Sequence, residues 1–196
     1  MWKHSTPGIP DELFERVEEV PITKEEVRTI QISKARLSSG QIVYDVGCGS
    51  GSVSIESALQ VKPTGQVFSI DFDPKAIELT KKNIEKFHVS NITVIFGNAT
   101  EKISELPTAD AIFIGGTGGD TKDILTLCEG KLKSGGRIVI GTILLETLVA
   151  VLDEIEKLKF SSIDVTQITV SKSRKTSTGT MMLARNPVTV ISATKI

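Results

Sequence analysis

Three glycines spaced by two form the stretch of this sequence that is best suited to holding a ligand. Gly47, Gly49 and Gly51 follow the apolar run Ile42–Val46, and an apolar helical pattern begins directly after them. A continuous apolar run that ends in glycine is typical of a strand buried on both faces of a parallel sheet. Glycines let backbone N–H groups approach a ligand without an intervening Cβ, and the start of a helix offers further donors. The pattern predicts a nucleotide-type binding loop at the carboxyl end of a first strand, with a ligand-free turn as the alternative.

The residues around these glycines indicate which type of nucleotide the loop would bind. A dinucleotide-binding loop has the spacing G-x-G-x-x-G, whereas this chain has G-x-G-x-G followed by Ser52. Asp45 precedes the loop, where a carboxylate is unfavourable beside a pyrophosphate but favourable beside a cation. The stretch D-V-G-C-G-S-G at 45–51 resembles the first motif of class I S-adenosylmethionine-dependent methyltransferases. This resemblance implies that the methionine portion of the cofactor lies against Asp45, Gly47, Cys48, Gly49, Ser50 and Gly51.

A second acidic residue, Asp71, ends the next apolar run at 66–70. A carboxylate at this place accepts hydrogen bonds from both ribose hydroxyls of a nucleotide. Capping of the next helix is the alternative, but Asp73, which Pro74 follows, is better suited to that role. The sequence leaves two interpretations of Phe72 open, namely packing on the adenine ring and membership of the core.

Three further residues are assigned to the cofactor site. Asn98 and Ala99 follow the third predicted strand, where they would meet the adenine edge, although an ordinary Asn-containing turn explains them equally. Thr23 opens the sequence T-K-E-E and is predicted to cap a helix, in a capping box with Glu26. Contact between Thr23 and the cofactor is suggested only by the family resemblance described below.

The glycine-rich loop after the fourth predicted strand is assigned to the substrate and consists of Gly115, Gly116, Thr117, Gly118 and Gly119. It lacks the Asn/Asp-Pro-Pro-aromatic motif that is usual in methyltransferases acting on exocyclic amines of nucleobases. A loop this open would let a large planar substrate approach the methyl group, with a flexible surface loop as the alternative. A polar strip carrying Lys172, Arg174 and Lys175 is predicted to be a solvated loop, with binding of substrate carboxylates as its alternative. The sequence identifies no catalytic acid or base.

Length and composition indicate a globular protein of one domain. The chain has 196 residues, of which 39% are hydrophobic and 24% charged. A net charge of -1 provides no overall positive field for nucleic acid or an anionic membrane. The two cysteines, Cys48 and Cys128, lack C-x-x-C spacing, which argues against a zinc site or a disulfide framework. We expect a cytoplasmic protein that holds no metal and binds neither nucleic acid nor membrane.

The order of the predicted elements indicates the fold. Strand and helix patterns alternate five times, and the chain then ends in strands without an intervening helix. This order predicts an α/β protein with a doubly wound, mostly parallel seven-stranded sheet of Rossmann-like type and antiparallel closing strands. An arm and a first helix at 1–37 precede the core at 38–196, all within one domain. Because ligands bind beyond the carboxyl ends of such strands, the two glycine loops, Asp71 and Asn98 are expected at one edge.

The chain resembles the CbiT family, the decarboxylating cobalt-precorrin-6B methyltransferases of anaerobic cobalamin biosynthesis. The resemblance covers nearly the whole sequence and is most particular in G-I-P-D-E at 8–12 and F-I-G-G-T-G-G at 113–119. It is also carried by P-I-T-K-E-E-V-R at 21–28, I-D-F-D-P at 70–74, L-E-T-L at 145–148 and R-N-P-V at 185–188. Family members often have Gly-Asp-Ala after the third strand. This chain has Gly97-Asn98-Ala99, so a carboxylate role cannot be transferred there.

The resemblance implies a class I methyltransferase that uses S-adenosylmethionine on a corrinoid substrate. It further implies methyl transfer to C-15, loss of carbon dioxide from the acetate at C-12, and a homotetramer. Two alternatives remain open from the residues alone. One is a class I methyltransferase acting on RNA or protein, and the other is a nucleotide-binding module without catalysis. An NAD enzyme is a more distant alternative.

Overall fold

The protein is an α/β sandwich built on one twisted sheet, as seen in a computed structural model that describes residues 2–196. Seven strands form the sheet in the order β3-β2-β1-β4-β5-β9-β6, with β1 to β5 parallel and β9 antiparallel to both of its neighbours. The strands of this sheet are β1 (Ile42–Val46), β2 (Gln66–Asp71), β3 (Ile92–Phe96), β4 (Ala109–Ile114), β5 (Leu132–Thr142), β6 (Ser161–Ile168) and β9 (Val188–Thr194). The predicted doubly wound, mostly parallel sheet with antiparallel closing strands is confirmed.

Helices cover both faces of the sheet because successive strand residues point to opposite sides. Val43 belongs to the core between the sheet and helices α1 to α3, whereas Tyr44 belongs to the core beneath α5 and α6. The helices are α1 (Glu25–Ala35), α2 (Ser52–Val61), α3 (Pro74–Phe87), α4 (Ala99–Lys102), α5 (Thr121–Lys131) and α6 (Leu145–Lys157). Strands buried on both faces explain why β1 to β5 read as apolar runs in the sequence.

The start of helix α1 differs from the sequence prediction. Lys24, not Thr23, occupies the N-cap position, and no side chain of the cap residue bonds to the helix. The Glu25 N–H instead donates to Asp11 Oδ1 at 2.9 Å. The predicted capping box is therefore wrong, because the helix begins one residue later than predicted and a carboxylate from the N-terminal arm, not a cap side chain, accepts from its first N–H group.

Two polar stretches lie in strands, and one of them was predicted as a solvated loop. Residues 134–136 continue β5 across an irregularity in its register, and their pairing is completed by backbone hydrogen bonds with Lys195. The strip with Lys172 forms β7 (Ser171–Lys175), which pairs along its whole length with β8 (Thr180–Ala184). These two strands form a separate hairpin, so β8 does not close the main sheet. A hairpin with exposed faces needs no apolar alternation, which is why the sequence pattern missed β7.

Within 2–196, no helix combines the length and apolar character that crossing a membrane requires. The same residues contain no group of three or more His, Cys, Asp or Glu side chains placed to hold a metal ion.

Candidate functional site

A cleft of about 1470 Å³ opens at the edge of the sheet where the parallel strands end. Its floor consists of the first glycine loop and the loop 115–119, and its walls come from segments far apart in the sequence. One wall is formed by the arm, α1 and the residues after β8, and the opposite wall by the first turns of α5 and α6. The walls are lined by Pro21, Ile22, Thr23, Lys24, Val27, Gln31, Asp120, Thr121, Lys122, Asp123, Thr142, Ile143, Leu144, Glu146, Thr147, Ala150, Ala184, Arg185, Asn186 and Val188.

The backbone donors of the first glycine loop are paired within the protein. The N–H groups of Gly47 and Cys48 donate to the Ile70 carbonyl at 2.9 and 3.1 Å. Gly49 donates to Asp71 Oδ2 at 2.9 Å, and Ser50 donates to the carbonyl of Pro21 at 3.3 Å. This pairing is contrary to the expectation that the loop offers free N–H groups to a ligand. The loop is thus a rigid surface that is locked to β2 and to the arm.

Close backbone contacts explain the glycines of this loop. A Cβ on Gly47 would lie 2.7 Å from the backbone of Gly116, so the two glycine loops touch directly. A Cβ on Gly49 would lie 2.8 Å from the carbonyl oxygen of Pro21, and the φ angles of both glycines are positive. Any side chain at either position would therefore force the floor of the cleft apart.

Asp45 lies beneath the loop rather than on the cleft wall. It is 3% exposed, and its Oδ2 accepts a hydrogen bond from Ser54 Oγ, which in turn accepts from Ser69 Oγ at 2.7 Å. Burial raises the pKa of the Asp45 carboxyl to about 6, the Ser54 hydrogen bond opposes this shift, and the nearby Asp71 carboxylate adds to it. Asp45 is thus a buried acid whose ionised form would be favoured by a cation above the loop.

Asp71 ends β2 beside the cleft, and Phe72 directly follows it. Each carboxylate oxygen of Asp71 accepts one backbone N–H, from Gly49 at 2.9 Å and from Asp73 at 3.0 Å. Helix α3 is capped by Asp73, as predicted, because Asp73 Oδ1 accepts from the Lys75 N–H. Phe72 is 65% exposed and lies next to Gly118, so the interpretation that it belongs to the core is wrong. A carboxylate and an uncovered aromatic ring thus lie side by side at the strand end.

The other predicted site residues occupy three kinds of position. Thr23 and Cys48 line the cleft together with Gly47, Gly49 and the loop 115–119. The Cys48 thiol is buried against Thr80 at 3.6 Å, and burial raises its pKa, so it is not a reactive thiolate at neutral pH. Ser50 Oγ is buried without a hydrogen-bond partner in the described part of the chain, and Gly51 packs on Thr80. Asn98 and Ala99 lie outside the cleft, where Asn98 caps helix α4 through the Thr100 N–H at 3.2 Å.

Sequence reasoning missed several residues of the cleft wall. Lys24, Gln31, Glu146, Arg185 and Asn186 line the cleft, and none of them was assigned to the site. Four of these belong to motifs that carried the family resemblance, since Lys24 lies in P-I-T-K, Glu146 in L-E-T-L, and both Arg185 and Asn186 in R-N-P-V. That resemblance was the only signal that could have found them, because no local pattern places residue 185 opposite residue 120.

A buried ion network fixes the wall formed by the arm. The side chain of Arg28 is 0% exposed, and its Nε donates to Glu56 Oε1 at 2.7 Å. Glu56 also accepts the N–H groups of Gly8 and Ile9, each at 2.9 Å, and Arg28 Nη1 lies 3.3 Å from Asp11 Oδ1. The G-I-P-D segment is therefore bound to α1 and α2 by charge-assisted hydrogen bonds. This attachment places Pro21 against Gly49 and Ser50.

Comparisons with known proteins agree with this geometry. A family model described as precorrin methyltransferase domain matches residues 12–195. A Saccharolobus solfataricus protein named as a probable cobalt-precorrin-6B C(15)-methyltransferase (decarboxylating) is 45% identical over 99% of this chain and 98% of its own. The crystal structure of precorrin 8W decarboxylase from Methanobacterium thermoautotrophicum has a TM-score of 0.90 and 36% identity, covering 94% of this chain and 98% of its own. A precorrin-6y C5,15-methyltransferase from Geobacter metallireducens has a TM-score of 0.90 and 34% identity, covering 97% of both chains. With a matching family model along nearly its whole length, this chain belongs to the precorrin methyltransferase family.

Proposed function

We propose that the protein transfers a methyl group from S-adenosylmethionine to C-15 of cobalt-precorrin-6B, with loss of carbon dioxide from the C-12 acetate. The observation that carries the proposal is the cleft of about 1470 Å³ that adjoins the glycine loop. Pockets for ordinary small ligands measure roughly 300–1,000 Å³, so this cleft has room for a macrocycle in addition to the end of a cofactor. The relatives named as C(15)-methyltransferases supply the identity of the acceptor.

The first glycine loop and the end of β2, which together we call the donor edge, fit S-adenosylmethionine. Asp71 accepts only one hydrogen bond on each oxygen, which leaves lone pairs for two ribose hydroxyls. The exposed ring of Phe72 offers a flat apolar surface for adenine. Asp45 would lie below the methionine portion, where its ionised form favours a cationic sulfur. When bound, the cofactor would supply an electrophilic methyl group on a positively charged sulfur.

The chain's own residues would act mainly by positioning. The loops 47–51 and 115–119 touch at Gly47 and Gly116, so the donor edge and the substrate loop share one rigid floor. A rigid floor holds the acceptor carbon in line with the methyl group and the sulfur, and such alignment accounts for a large part of the acceleration in bimolecular reactions. We assign cofactor contacts to Thr23, Asp45, Gly47, Cys48, Gly49, Ser50, Gly51, Asp71, Phe72, Asn98 and Ala99.

The proposal includes a homotetramer in the cytoplasm. Exposed apolar side chains on β6 and β8 support subunit contacts there, since Ile163, Val165, Met181 and Met182 are 45 to 63% exposed. Both cysteines are free, which is usual in a reducing compartment. Analytical ultracentrifugation of the full chain would measure the mass of the assembly.

The test of the activity is incubation of the protein with S-adenosylmethionine and either cobalt-precorrin-6B or bulk tRNA. We expect S-adenosylhomocysteine and carbon dioxide in equal amounts with the corrinoid and neither product with tRNA. S-Adenosylhomocysteine formed with tRNA would favour a nucleic-acid methyltransferase. Cofactor binding with no product from either acceptor would favour a non-catalytic module, and preferential binding of NADH would overturn the choice of cofactor.

A further inference from the structure

We propose that Arg185 and Lys24 form a binding subsite for the carboxylates of the acceptor, which we call the basic rim. This inference rests on the proposed function, because it assigns residues to the peripheral acid groups of a corrinoid substrate. Both residues line the cleft. They come from its arm side, since Lys24 is the N-cap residue of α1 and Arg185 directly follows β8.

The sequence suggested other cations for binding substrate carboxylates, but their contacts and positions exclude them from this role. Lys172 Nζ lies 2.9 Å from Glu25 Oε2 and 2.6 Å from Glu26 Oε1, so its charge already serves to attach the hairpin to α1. Arg174 and Lys175 are exposed on the same hairpin and are not among the residues that line the cleft. The role of binding carboxylates therefore passes from this strip to the cations that face the cleft.

Arg185 is held in place while most of its donors stay unused. Its Nη1 lies 3.4 Å from Glu26 Oε2 and 3.7 Å from Asp11 Oδ2. These contacts orient the guanidinium, and its side chain remains 32% exposed. Within the described chain, its Nε and Nη2 donate to no partner, although a guanidinium carries five N–H donors. A guanidinium held in this way is suited to bidentate binding of a carboxylate.

Lys24 supplies a second and independent cation. No carboxylate of residues 2–196 lies within 4.0 Å of its Nζ, so its charge is not neutralised by an ion pair. The opposite wall carries the three acids Asp120, Asp123 and Glu146 together with Lys122, whose Nζ lies 3.6 Å from Asp153. Among the residues that line the cleft, the arm side therefore carries two cations and no acid, whereas the other side carries three acids and one lysine. A polycarboxylate macrocycle would bind with its acid groups toward the basic rim.

The test measures equilibrium binding of cobyrinic acid, a corrin with free carboxylates at its periphery, and of its methyl ester. We expect Arg185→Gln to weaken binding of the acid by roughly 10- to 100-fold, the loss usual for a charge-assisted hydrogen bond. Lys24→Gln should weaken it by roughly three- to tenfold, and Arg185→Lys should restore part of the loss. Binding of the ester and of S-adenosylhomocysteine should be unchanged. The matched controls Arg174→Gln and Lys175→Gln, on the same hairpin but outside the cleft, should bind the acid as the parent protein does.

Unchanged binding of the acid in both cleft variants, or equal losses in the hairpin controls, would overturn the subsite. If Arg185→Gln fails to fold because Glu26 and Asp11 lose their partner, Lys24→Gln decides the outcome, since that lysine has no ion pair to lose. With an active protein, the variants should raise KM for cobalt-precorrin-6B more than they lower kcat. A parent protein that binds cobyrinic acid through the basic rim but transfers no methyl group would refute the proposed function and leave the subsite standing.

Discussion

Two aspartates at the donor edge have opposite environments. Asp45 and Asp71 end neighbouring strands, yet only Asp71 accepts backbone N–H groups from two separate loops. Asp45 is buried in contact with two serine hydroxyls, and its pKa is raised to about 6. The Asp71 carboxylate is therefore held by backbone donors on both oxygens and keeps lone pairs for further hydrogen bonds, whereas burial raises the pKa of Asp45.

The pH dependence of stability should reveal Asp45. Because the folded state raises the pKa from 3.8 to about 6, its contribution is fully present below pH 4 and is lost as pH rises through 6. We expect the free energy of unfolding of the parent, minus that of Asp45→Asn, to fall by about 1–3 kcal/mol between pH 4 and 7. Urea unfolding at several pH values measures this difference. A difference that stays constant over the range would show that Asp45 has an ordinary pKa.

Asp71 should determine the affinity for the cofactor. Asp71→Ala removes the carboxylate that would accept the ribose hydroxyls, so we expect binding of S-adenosylhomocysteine to weaken by roughly 1–3 kcal/mol. Calorimetric titration measures the affinity. Asp73→Ala is the matched control, since it removes only the cap of α3 and should lower stability by about 1 kcal/mol without changing the affinity. Equal affinities of the parent and Asp71→Ala would remove Asp71 from the site.

At the residue scale, sequence reasoning succeeds where a role depends on near neighbours. Asp73 is predicted correctly as a cap because its partner is Lys75, two residues away. Thr23 is predicted wrongly as the cap of α1, because Asp11, from a different segment, accepts the hydrogen bond from the Glu25 N–H. Arg185 was not predicted, since its partners Glu26 and Asp11 lie far away in sequence. Distance along the chain thus limits what residue types alone reveal.

At the scale of elements, burial decides which strands the sequence predicts. Strands β1 and β4 are buried at nearly every position, and the apolar run Ile42–Val46 predicted β1 with the bounds it has. Strand β7 is polar and mostly exposed, so its residues carry no periodic signal. Its strand conformation depends on pairing with β8 and on the ion pairs of Lys172 with α1.

The contact between the two glycine loops can be tested by adding a single methyl group. Gly47→Ala places a Cβ 2.7 Å from the Gly116 backbone at a φ angle of +74°, so we expect a loss of roughly 2–4 kcal/mol in stability. Gly130→Ala is the contrasting variant, because Gly130 lies in α5 with open space around it. It should gain about 0.5–1 kcal/mol. Thermal unfolding compares the two, and equal stabilities would mean that the loops do not touch.

For the whole molecule, one buried arginine joins the arm to the helices. Arg28 contacts Asp11 and Glu56, which are themselves almost fully buried. Arg28→Met would leave both carboxylates without their cation, so we expect a loss of about 3–5 kcal/mol. Urea unfolding measures the loss, and limited proteolysis should show earlier cleavage within residues 8–24. Arg174→Met, at an exposed position, should stay within about 0.5 kcal/mol of the parent. A similar result for the two variants would mean that the arm is held by apolar packing alone.

The origin of the cleft walls has a consequence for how such enzymes diversify. The two glycine loops that form the floor of the cleft are encoded in the middle of the chain, between residues 47 and 119, whereas one wall combines residues 21–31 with 184–188. Selection can therefore alter that wall through the two ends of the chain while the glycine loops of the floor are left unchanged. Chimeras that exchange only these end segments between relatives offer a direct way to retarget the methyl group.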